Sequence, residues 1–254
     1  MKNTERIKSP TMVTPYNAQH IGNREEQQDY FAYSNMFDRE EQKRIGIVAV
    51  LADGMGGMAN GRRASHTATD AFLQSYTNSE ITNINDRLIY AAHRANEAVK
   101  TLKDAGSTLI AVVIKNWKLY WLSIGDSRIY LYRNRKLRRL NKEHNYEAVL
   151  SEMVLNGEIT VEEAINNPHR SALTSYLGIE SLEEIDINVN EYPLFAGDSI
   201  MLCSDGLYKS LGDTEIADII MEADDDVCDV MVARALAKRI ANQDNITVML
   251  MDID

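Results

Sequence analysis

The sequence predicts an α+β fold in which a central antiparallel β-sandwich is flanked by helix pairs. Short apolar runs and segments with a period of two are typical of strands, whereas apolar residues spaced three or four apart are typical of helices. These segments follow one another as strands, helices, strands, helices and a last strand. Because this order lacks the regular alternation that a parallel sheet requires, two packed antiparallel sheets are the economical architecture.

Composition limits the class of protein. The chain has 254 residues, 44% of them hydrophobic, four prolines and no low-complexity stretch, so we expect one domain over residues 1–254. A net charge of −11 argues against nucleic acid as a partner. Cys203 and Cys228 are too few for a disulfide framework and are expected to be buried in a reducing compartment. No apolar run is long enough to span a membrane, which predicts a cytoplasmic protein.

The first half of the chain carries strand and helix patterns in turn. Residues 30–34 indicate a strand, and the apolar run 48–52 stops at Asp53, as a buried strand does where glycines follow. Small and apolar residues recur at helical spacing over about residues 61–76 and 88–102. Small side chains permit close packing, so these two helices are expected to cover one face of a sheet.

The second half begins with a meander. The period becomes two after residue 107, and Gly125-Asp126-Ser127 marks a turn inside the meander. Residues 145–171 contain only short helix signals, including a capping box at Thr160, and are expected to form an insertion over the core. The other expected elements are strands at 108–115, 119–124, 128–132, 184–190, 199–204 and 246–251, and helices at 213–221 and 228–236.

Three aspartates stand where an apolar segment meets a polar turn. Asp53 is followed by Gly54, whose lack of a Cβ lets its backbone approach an ion closely. A strand end closed by an Asx turn is the plain alternative for a single Asp-Gly. A second apolar strand also ends in Asp-Gly, at Asp205, and Asp244 precedes the last strand. Folding can therefore gather three carboxylates at one end of the sandwich.

Buried carboxylates repel one another and are tolerated only with cations between them. Oxygen ligands without a nearby histidine suit magnesium or manganese rather than zinc. The chain has no Gly-x-Ser-x-Gly elbow, His-Glu-x-x-His motif or P-loop lysine, which leaves metal-assisted chemistry. Two other features stay open on the residues alone. Arg24 with Asp29 also fits a solvated charged loop, and Asp126 also fits an ordinary hairpin turn.

Seven short motifs occur in the order found in the metal-dependent serine/threonine protein phosphatases of type 2C, the PPM family, and from about residue 11 onward the chain resembles the bacterial catalytic domains of that family. The resemblance implies a β-sandwich with two metal ions at one end and a flap at about residues 145–171. The motifs are Arg24-x-x-Gln27-Gln28-Asp29, Asp53-Gly54-Met55-Gly56-Gly57, Gly106-Ser107-Thr108, Gly125-Asp126-Ser127-Arg128, Leu177-Gly178, Ser204-Asp205-Gly206-Leu207 and Asp244-Asn245-Ile246-Thr247-Val248.

The resemblance also implies a set of metal ligands. Asp53 would bridge two Mn²⁺ or Mg²⁺ ions, the carbonyl of Gly54 would bind one of them, and Asp205 and Asp244 would complete the other. Asp126 matches a position that contributes to a third, weaker ion in many bacterial members.

The resemblance gives two further residues a role in catalysis. Asp29 would be a ligand or would accept a hydrogen bond from metal-bound water, and Arg24 would grip the substrate phosphate. Two positions depart from the family pattern: Gln28 stands where many members have a metal-linked glutamate, and Met55 stands where many eukaryotic members have a histidine proposed as general acid.

The expected activity is the hydrolysis of phosphoserine and phosphothreonine on proteins by a metal-bridged water, without a covalent intermediate. The expected partners are phosphorylated proteins and a cognate serine/threonine kinase with its substrates, and the expected state is a monomer. A catalytically silent member that serves as a regulatory binding module is the alternative. Retention of Asp53, Asp205 and Asp244 together argues against it.

Overall fold

The computed structural model describes residues 10–55, 60–223 and 226–254. The strands in this part of the chain are β1 (Val13–His20), β2 (Asp29–Ser34), β3 (Ile47–Asp53), β4 (Leu109–Lys115), β5 (Lys118–Ile124), β6 (Arg128–Arg133), β7 (Lys136–Arg139), β8 (Asp186–Ile187), β9 (Tyr192–Pro193), β10 (Asp198–Cys203) and β11 (Ile246–Ile253). The helices are α1 (Arg39–Ile45), α2 (Gly61–Asn78), α3 (Ile84–Lys100), α4 (Tyr146–Leu155), α5 (Val161–Ile165), α6 (Asp205–Tyr208), α7 (Asp213–Glu222) and α8 (Val227–Ala237).

Two antiparallel sheets form the centre of the molecule, which confirms the expected fold class. One sheet has the strand order β1-β11-β10-β6-β7, and the other has the order β2-β3-β4-β5-β8, with β9 also pairing with β5. The pairings within both sheets are antiparallel. The loops at one end of these strands carry most of the motifs.

The central strands are buried on both faces. Leu51 of β3 packs between the sheets with Leu202 and Met249 from the opposite sheet, whereas its neighbour Val50 faces α2 and α3. On the far side of the molecule, Val248 packs under α7 and α8. A strand covered on both faces needs apolar residues at every position, which explains why residues 48–52 are an uninterrupted apolar run.

The two predicted helices after residue 60 are confirmed as α2 and α3. Ala64 and Ala68 of α2 and Ala91 and Ala95 of α3 are fully buried, so the helices lie close to each other and to the sheet. The helix α3 begins earlier than the apolar pattern indicated, because the side chain of Asn83 accepts hydrogen bonds from the backbone N–H groups of residues 85 and 86.

Two early elements were missed by the pattern. The strand β1 is an edge strand paired with β11, and most of its residues are partly or fully exposed, so it carries little apolar periodicity. The helix α1 has seven residues and only Ile45 is buried. Its start is set by Asp38, which accepts hydrogen bonds from the amides of Glu40 and Glu41. Such a helix is specified by its cap rather than by a core-facing stripe.

The expected strand at residues 184–190 is wrong as a single element. Within this range only Asp186–Ile187 (β8) pairs as a strand, and β9 (Tyr192–Pro193) follows after residues 188–191. The side chain of Asn188 accepts a hydrogen bond from the amide of Trp121 at 2.7 Å and donates one to the carbonyl of Leu119 at 3.1 Å. The amide side chain thus takes the place of the backbone ladder and interrupts the strand.

Other expectations hold in detail. The capping box at Thr160 is present and starts α5. Cys203 and Cys228 are both buried thiols. A search of the helices within the described residues finds none with the length and apolar character that crossing a bilayer requires.

The turn at Gly125 connects β5 to β6 and positions Asp126. Gly125 has φ +97°, and a Cβ at this position would lie 2.7 Å from side-chain atoms of Thr108. Gly197, in the turn before β10, also has a positive φ of +89° but has no atom within 4 Å of a Cβ built there. Alanine substitutions at these two glycines therefore distinguish the cost of backbone strain, which both share, from the cost of steric contact, which only Gly125 has.

We expect Gly125→Ala to be clearly more destabilising than Gly197→Ala. Both changes place alanine in the left-handed region at a cost of about 1 kcal/mol. Only Gly125→Ala also displaces Thr108, which adds about 1 kcal/mol or more through overpacking. Urea unfolding of both variants measures the difference. Equal losses in the free energy of unfolding would show that Thr108 moves aside at no cost.

Candidate metal centre

The site is built from strand ends of both sheets. Asp29 at the start of β2 is paired directly opposite Asp53 at the end of β3. In the other sheet, Ser204 and Asp205 follow β10, and Asp244 lies just before β11. The sandwich therefore brings Asp53, Asp205 and Asp244 to one end, as expected from their positions beside apolar segments, and Asp29 lies with them.

Asp29 connects the two sheets. Its Oδ2 accepts a hydrogen bond from Thr247 Oγ1 at 2.7 Å and one from Ser204 Oγ at 2.8 Å. Its Oδ1 is buried and has no hydrogen-bond partner among the described residues. Burial raises the pKa of Asp29 to about 7, although the bonds from Thr247 and Ser204 oppose this shift.

Asp53 is held through its backbone. Its carbonyl accepts bonds from the Thr108 amide at 2.8 Å and from Ser107 Oγ at 3.0 Å, and its own amide donates to Thr108 Oγ1 at 3.0 Å. These contacts fix the strand end and leave the carboxylate to the site. Burial raises the pKa of Asp53 well above its usual value, and four further carboxylates add to the rise: Asp29, Asp205, Asp126 and Asp244.

Gly54 continues the strand end into the loop. Its amide donates to the carbonyl of Gln28 at 3.0 Å, and a Cβ at this position would lie 2.2 Å from the carbonyl oxygen of Gly61. Only glycine fits in this space, so the close approach of the backbone is built into the fold. Gly56 and Gly57, which complete the motif, lie outside the described residues.

Asp205 and Asp244 each contact a cationic side chain. Asp205 Oδ2 accepts from Lys209 Nζ at 2.5 Å, while Asp205 Oδ1 is buried and without a partner among the described residues. Asp244 Oδ2 accepts from Arg24 Nη2 at 2.8 Å. The negative charge at this end of the sandwich is thus partly compensated by the chain itself.

Arg24 lies beside the acidic group on a braced loop. The side chain of Asn245 accepts from the Gln28 amide at 2.8 Å and donates to the carbonyls of Ile21 and Glu26 at 2.7 and 3.1 Å. These bonds tie the loop of residues 21–28 to the start of β11. The side chain of Arg24 is 46% exposed and lines an open groove of about 440 Å³.

Asp126 belongs to the acidic group although it lies in a hairpin turn. It is 9% exposed, and burial followed by repulsion from Asp205 raises its pKa to about 6. The turn is clamped by His144, whose backbone amide donates to the Gly125 carbonyl at 2.8 Å and whose Nδ1 accepts from the Gly125 amide at 3.2 Å. Ser127 Oγ is 2.9 Å from Thr108 Oγ1, which in turn contacts Asp53.

Several of the supporting residues belong to the sequence motifs, but their roles depend on contacts that only the folded chain makes. Ser204, Thr247 and Asn245 hold the acidic side chains and the Arg24 loop in place. The sequence feature that could have indicated these three residues is a polar residue inside or beside an otherwise apolar strand. His144 lies 18 residues after Asp126, and nothing in the local pattern links the two.

The residues present fit divalent cations. Five carboxylates influence one another, and two buried carboxylate oxygens, on Asp29 and Asp205, lack partners among the described residues. As placed in the described ranges, no group of three or more acidic, histidine or cysteine side chains lies close enough together to hold a metal ion, so the fit rests on the donor chemistry and the unpartnered oxygens. Hard oxygen donors with charge to be compensated favour Mg²⁺ or Mn²⁺. The fold and the site thus define a protein with a candidate divalent-cation centre at one end of a β-sandwich.

Comparison with known proteins identifies the family. The family model described as "Protein phosphatase 2C" matches residues 17–244. The serine/threonine phosphatase stp of Listeria welshimeri is 31% identical over 84% of this chain and 86% of its own length. The chain therefore belongs to the protein phosphatase 2C family.

Two solved structures agree with this assignment. The serine/threonine phosphatase of S. agalactiae superimposes with a TM-score of 0.81 at 25% identity, covering 95% of this chain and all of that one. The catalytic domain of the serine threonine protein phosphatase PstP, solved in complex with two manganese ions, has a TM-score of 0.72 at 26% identity, covering 95% of this chain and 99% of that one.

In protein stripped of divalent ions with EDTA, we expect the free energy of unfolding to fall as the pH rises from about 4 to about 7. Asp29, with a pKa of about 7, keeps its proton in the folded chain over a range where the unfolded chain has lost it. Folding then takes up a proton, so this contribution to stability is complete below the unfolded pKa and is lost as the pH passes the folded value.

Urea unfolding at several pH values measures this dependence, and Asp29→Asn isolates the contribution of Asp29. The asparagine keeps an oxygen acceptor for Ser204 and Thr247 but cannot titrate, so the fall in stability should be shallower. Identical pH dependence in the wild type and in Asp29→Asn would contradict the raised pKa.

Proposed function

We propose that this chain hydrolyses phosphoserine and phosphothreonine on proteins and so opposes a serine/threonine kinase. The observation that carries the proposal is the convergence of buried carboxylates from both sheets, with Arg24 beside them. The family membership and the phosphatase names of the relatives support it. The enzyme is a metal-dependent protein serine/threonine phosphatase.

The two divalent ions of such an enzyme have a suitable set of ligands here. In this proposal Asp53 and the carbonyl of Gly54 would hold one ion, and Asp53, Asp205 and Asp244 would hold the other. Asp126 would contribute to any third, weaker ion. When bound, the ions polarise the phosphoryl oxygens and activate water for attack.

Arg24 and Asp29 then act on the substrate and on the attacking water. Arg24 stands half exposed at the groove, where its planar guanidinium can bind two oxygens of a phosphate ester. Asp29 is fixed through Oδ2 by Ser204 and Thr247, which leaves Oδ1 as the atom that accepts a proton. Met55 replaces the histidine of many eukaryotic members, so the leaving alkoxide takes its proton from water or another group.

We propose that residues 1–254 form a single catalytic domain in which residues 145–171 are a flap. The helices α4 and α5 carry the exposed apolar side chains of Leu155, Val161 and Ile165. A groove of about 610 Å³ runs from Asp126 to Leu155 and Arg170. A phosphorylated protein that reaches the carboxylates would therefore contact this segment.

The partners, the oligomeric state and the compartment of the chain are also part of the proposal. The partners are phosphorylated proteins, namely a cognate serine/threonine kinase and its substrates. The chain acts as a monomer in the cytoplasm. The buried, reduced state of Cys203 and Cys228 is compatible with that compartment.

The test uses EDTA-treated protein and a phosphothreonine peptide. Activity should return with Mn²⁺, and Asp53→Asn and Asp205→Asn should each lower kcat/KM by about 100-fold or more, because a charged ligand is lost where Lewis-acid chemistry is needed. Calorimetric titration should show weaker Mn²⁺ binding in both variants. The control is Asp70→Asn, which removes an exposed carboxylate from α2.

Two outcomes would count against the proposal. Full turnover in Asp53→Asn would show that Asp53 is not a metal ligand required for activity. A folded wild-type protein that hydrolyses neither the peptide nor an aryl phosphate at any Mn²⁺ concentration would favour the regulatory binding module instead.

A further inference from the structure

We propose that the ammonium group of Lys209 is a built-in counter-ion that takes the place of a third divalent ion between Asp205 and Asp126. This inference rests on the proposed function, because it concerns how many ions the same site retains. It predicts that the chain holds two divalent ions firmly and admits a third only against competition from Lys209.

The position of Lys209 is set by the backbone. Asp205 opens α6, and the amide of Lys209 donates to the carbonyl of Asp205 at 2.9 Å, so the two residues lie one helical turn apart on the same face. Their side chains meet with Nζ 2.5 Å from Oδ2. The contact follows from the four-residue spacing and needs no rearrangement of the loop.

The two oxygens of Asp205 have different surroundings. Oδ2 is bound by Lys209, whereas Oδ1 is buried and has no partner among the described residues. An ion shared with Asp53 and Asp244 can therefore use Oδ1 while Lys209 stays in place. A further ion at Asp205 needs Oδ2 and competes directly with Nζ.

Asp126 is the second carboxylate that this cation serves. Its Oδ2 lies 3.4 Å from the hydroxyl of Tyr208, the residue that precedes Lys209. Burial and Asp205 raise the pKa of Asp126, and Lys209 acts in the opposite direction. The ammonium therefore lies within electrostatic range of both carboxylates.

The two arginines near Asp126 are already engaged with other groups. The guanidinium of Arg128 is stacked on the ring of Tyr208, with its central carbon 3.6 Å from the ring centroid, and is paired with Glu143. Glu143 also pairs with Arg139 at 3.0 Å. Among these groups, Lys209 is the one paired with a carboxylate of the acidic site.

A tethered cation has an advantage over an ion from solution. Because Lys209 is attached to the same helical turn as Asp205, its effective concentration at Oδ2 is high and constant. A divalent ion must displace it and also lose water to bind a site with few remaining ligands. The third ion is therefore expected to bind much more weakly than the other two.

The experiment counts bound Mn²⁺ by calorimetric titration and by the paramagnetic resonance of free Mn²⁺, on EDTA-treated and dialysed full chain. The wild type should bind two ions tightly. Lys209→Gln should bind a third ion at least tenfold more tightly than the wild type does, and Lys209→Gln with Asp126→Asn should lose that gain. Lys209→Arg keeps the charge and should resemble the wild type.

A matched control is Lys238→Gln, because Lys238 forms a 2.8 Å ion pair with Glu215 that involves none of the proposed metal ligands. It should leave the isotherm unchanged, and thermal unfolding confirms that every variant is folded. If the wild type binds two ions and the isotherm of Lys209→Gln is the same as that of the wild type, the inference about Lys209 is overturned and the proposed function still stands. No Mn²⁺ binding by the wild type would overturn the proposed function and the inference with it.

Discussion

The site depends on the hydrogen bonds that the carboxylate of Asp29 accepts across the two sheets. It starts a strand of one sheet and accepts hydrogen bonds from Ser204 and Thr247 of the other sheet, at the end where the motifs meet. The proposed ligands are divided between the sheets, so their spacing depends on how the sheets are aligned. A buried contact between the strand ends fixes that alignment where it matters for chemistry.

This arrangement costs stability. Carboxylates that are buried next to one another raise each other's pKa values, and the fold holds them together because hydrophobic burial on both faces of the central strands outweighs the repulsion. Lys209 and Arg24 offset part of the charge. A divalent ion would compensate the remaining negative charge. Repulsion among the carboxylates therefore both destabilises the fold and favours metal binding.

The sequence was sufficient to predict the elements whose buried apolar residues recur with a regular period. The helices α2 and α3 and the central strands were predicted because their apolar residues recur with a fixed period, and the fold class followed from their order. The ends of apolar runs also located Asp53, Asp205 and Asp244. Residues whose role depends on contacts across the fold were beyond this reasoning.

Asn188 shows this limit clearly, since it ends a predicted strand early through side-chain bonds to Leu119 and Trp121 that no local pattern encodes. The clamp of His144 on Gly125 joins residues 19 positions apart through a turn. The pairing of Lys209 with Asp205 has a visible four-residue spacing, but its importance depends on Asp126, which only the folded chain brings near. The β1 strand is specified by its partner rather than by its own composition.

Anomalous diffraction from crystals soaked in Mn²⁺ tests the central claim most directly, because it locates the ions without reference to activity. The account predicts two strong peaks, both within about 2.3 Å of oxygens of Asp53, with Asp205 and Asp244 on one of them. Peaks confined to other surfaces, with the carboxylates of Asp53 and Asp205 contacting only protein groups, would contradict it.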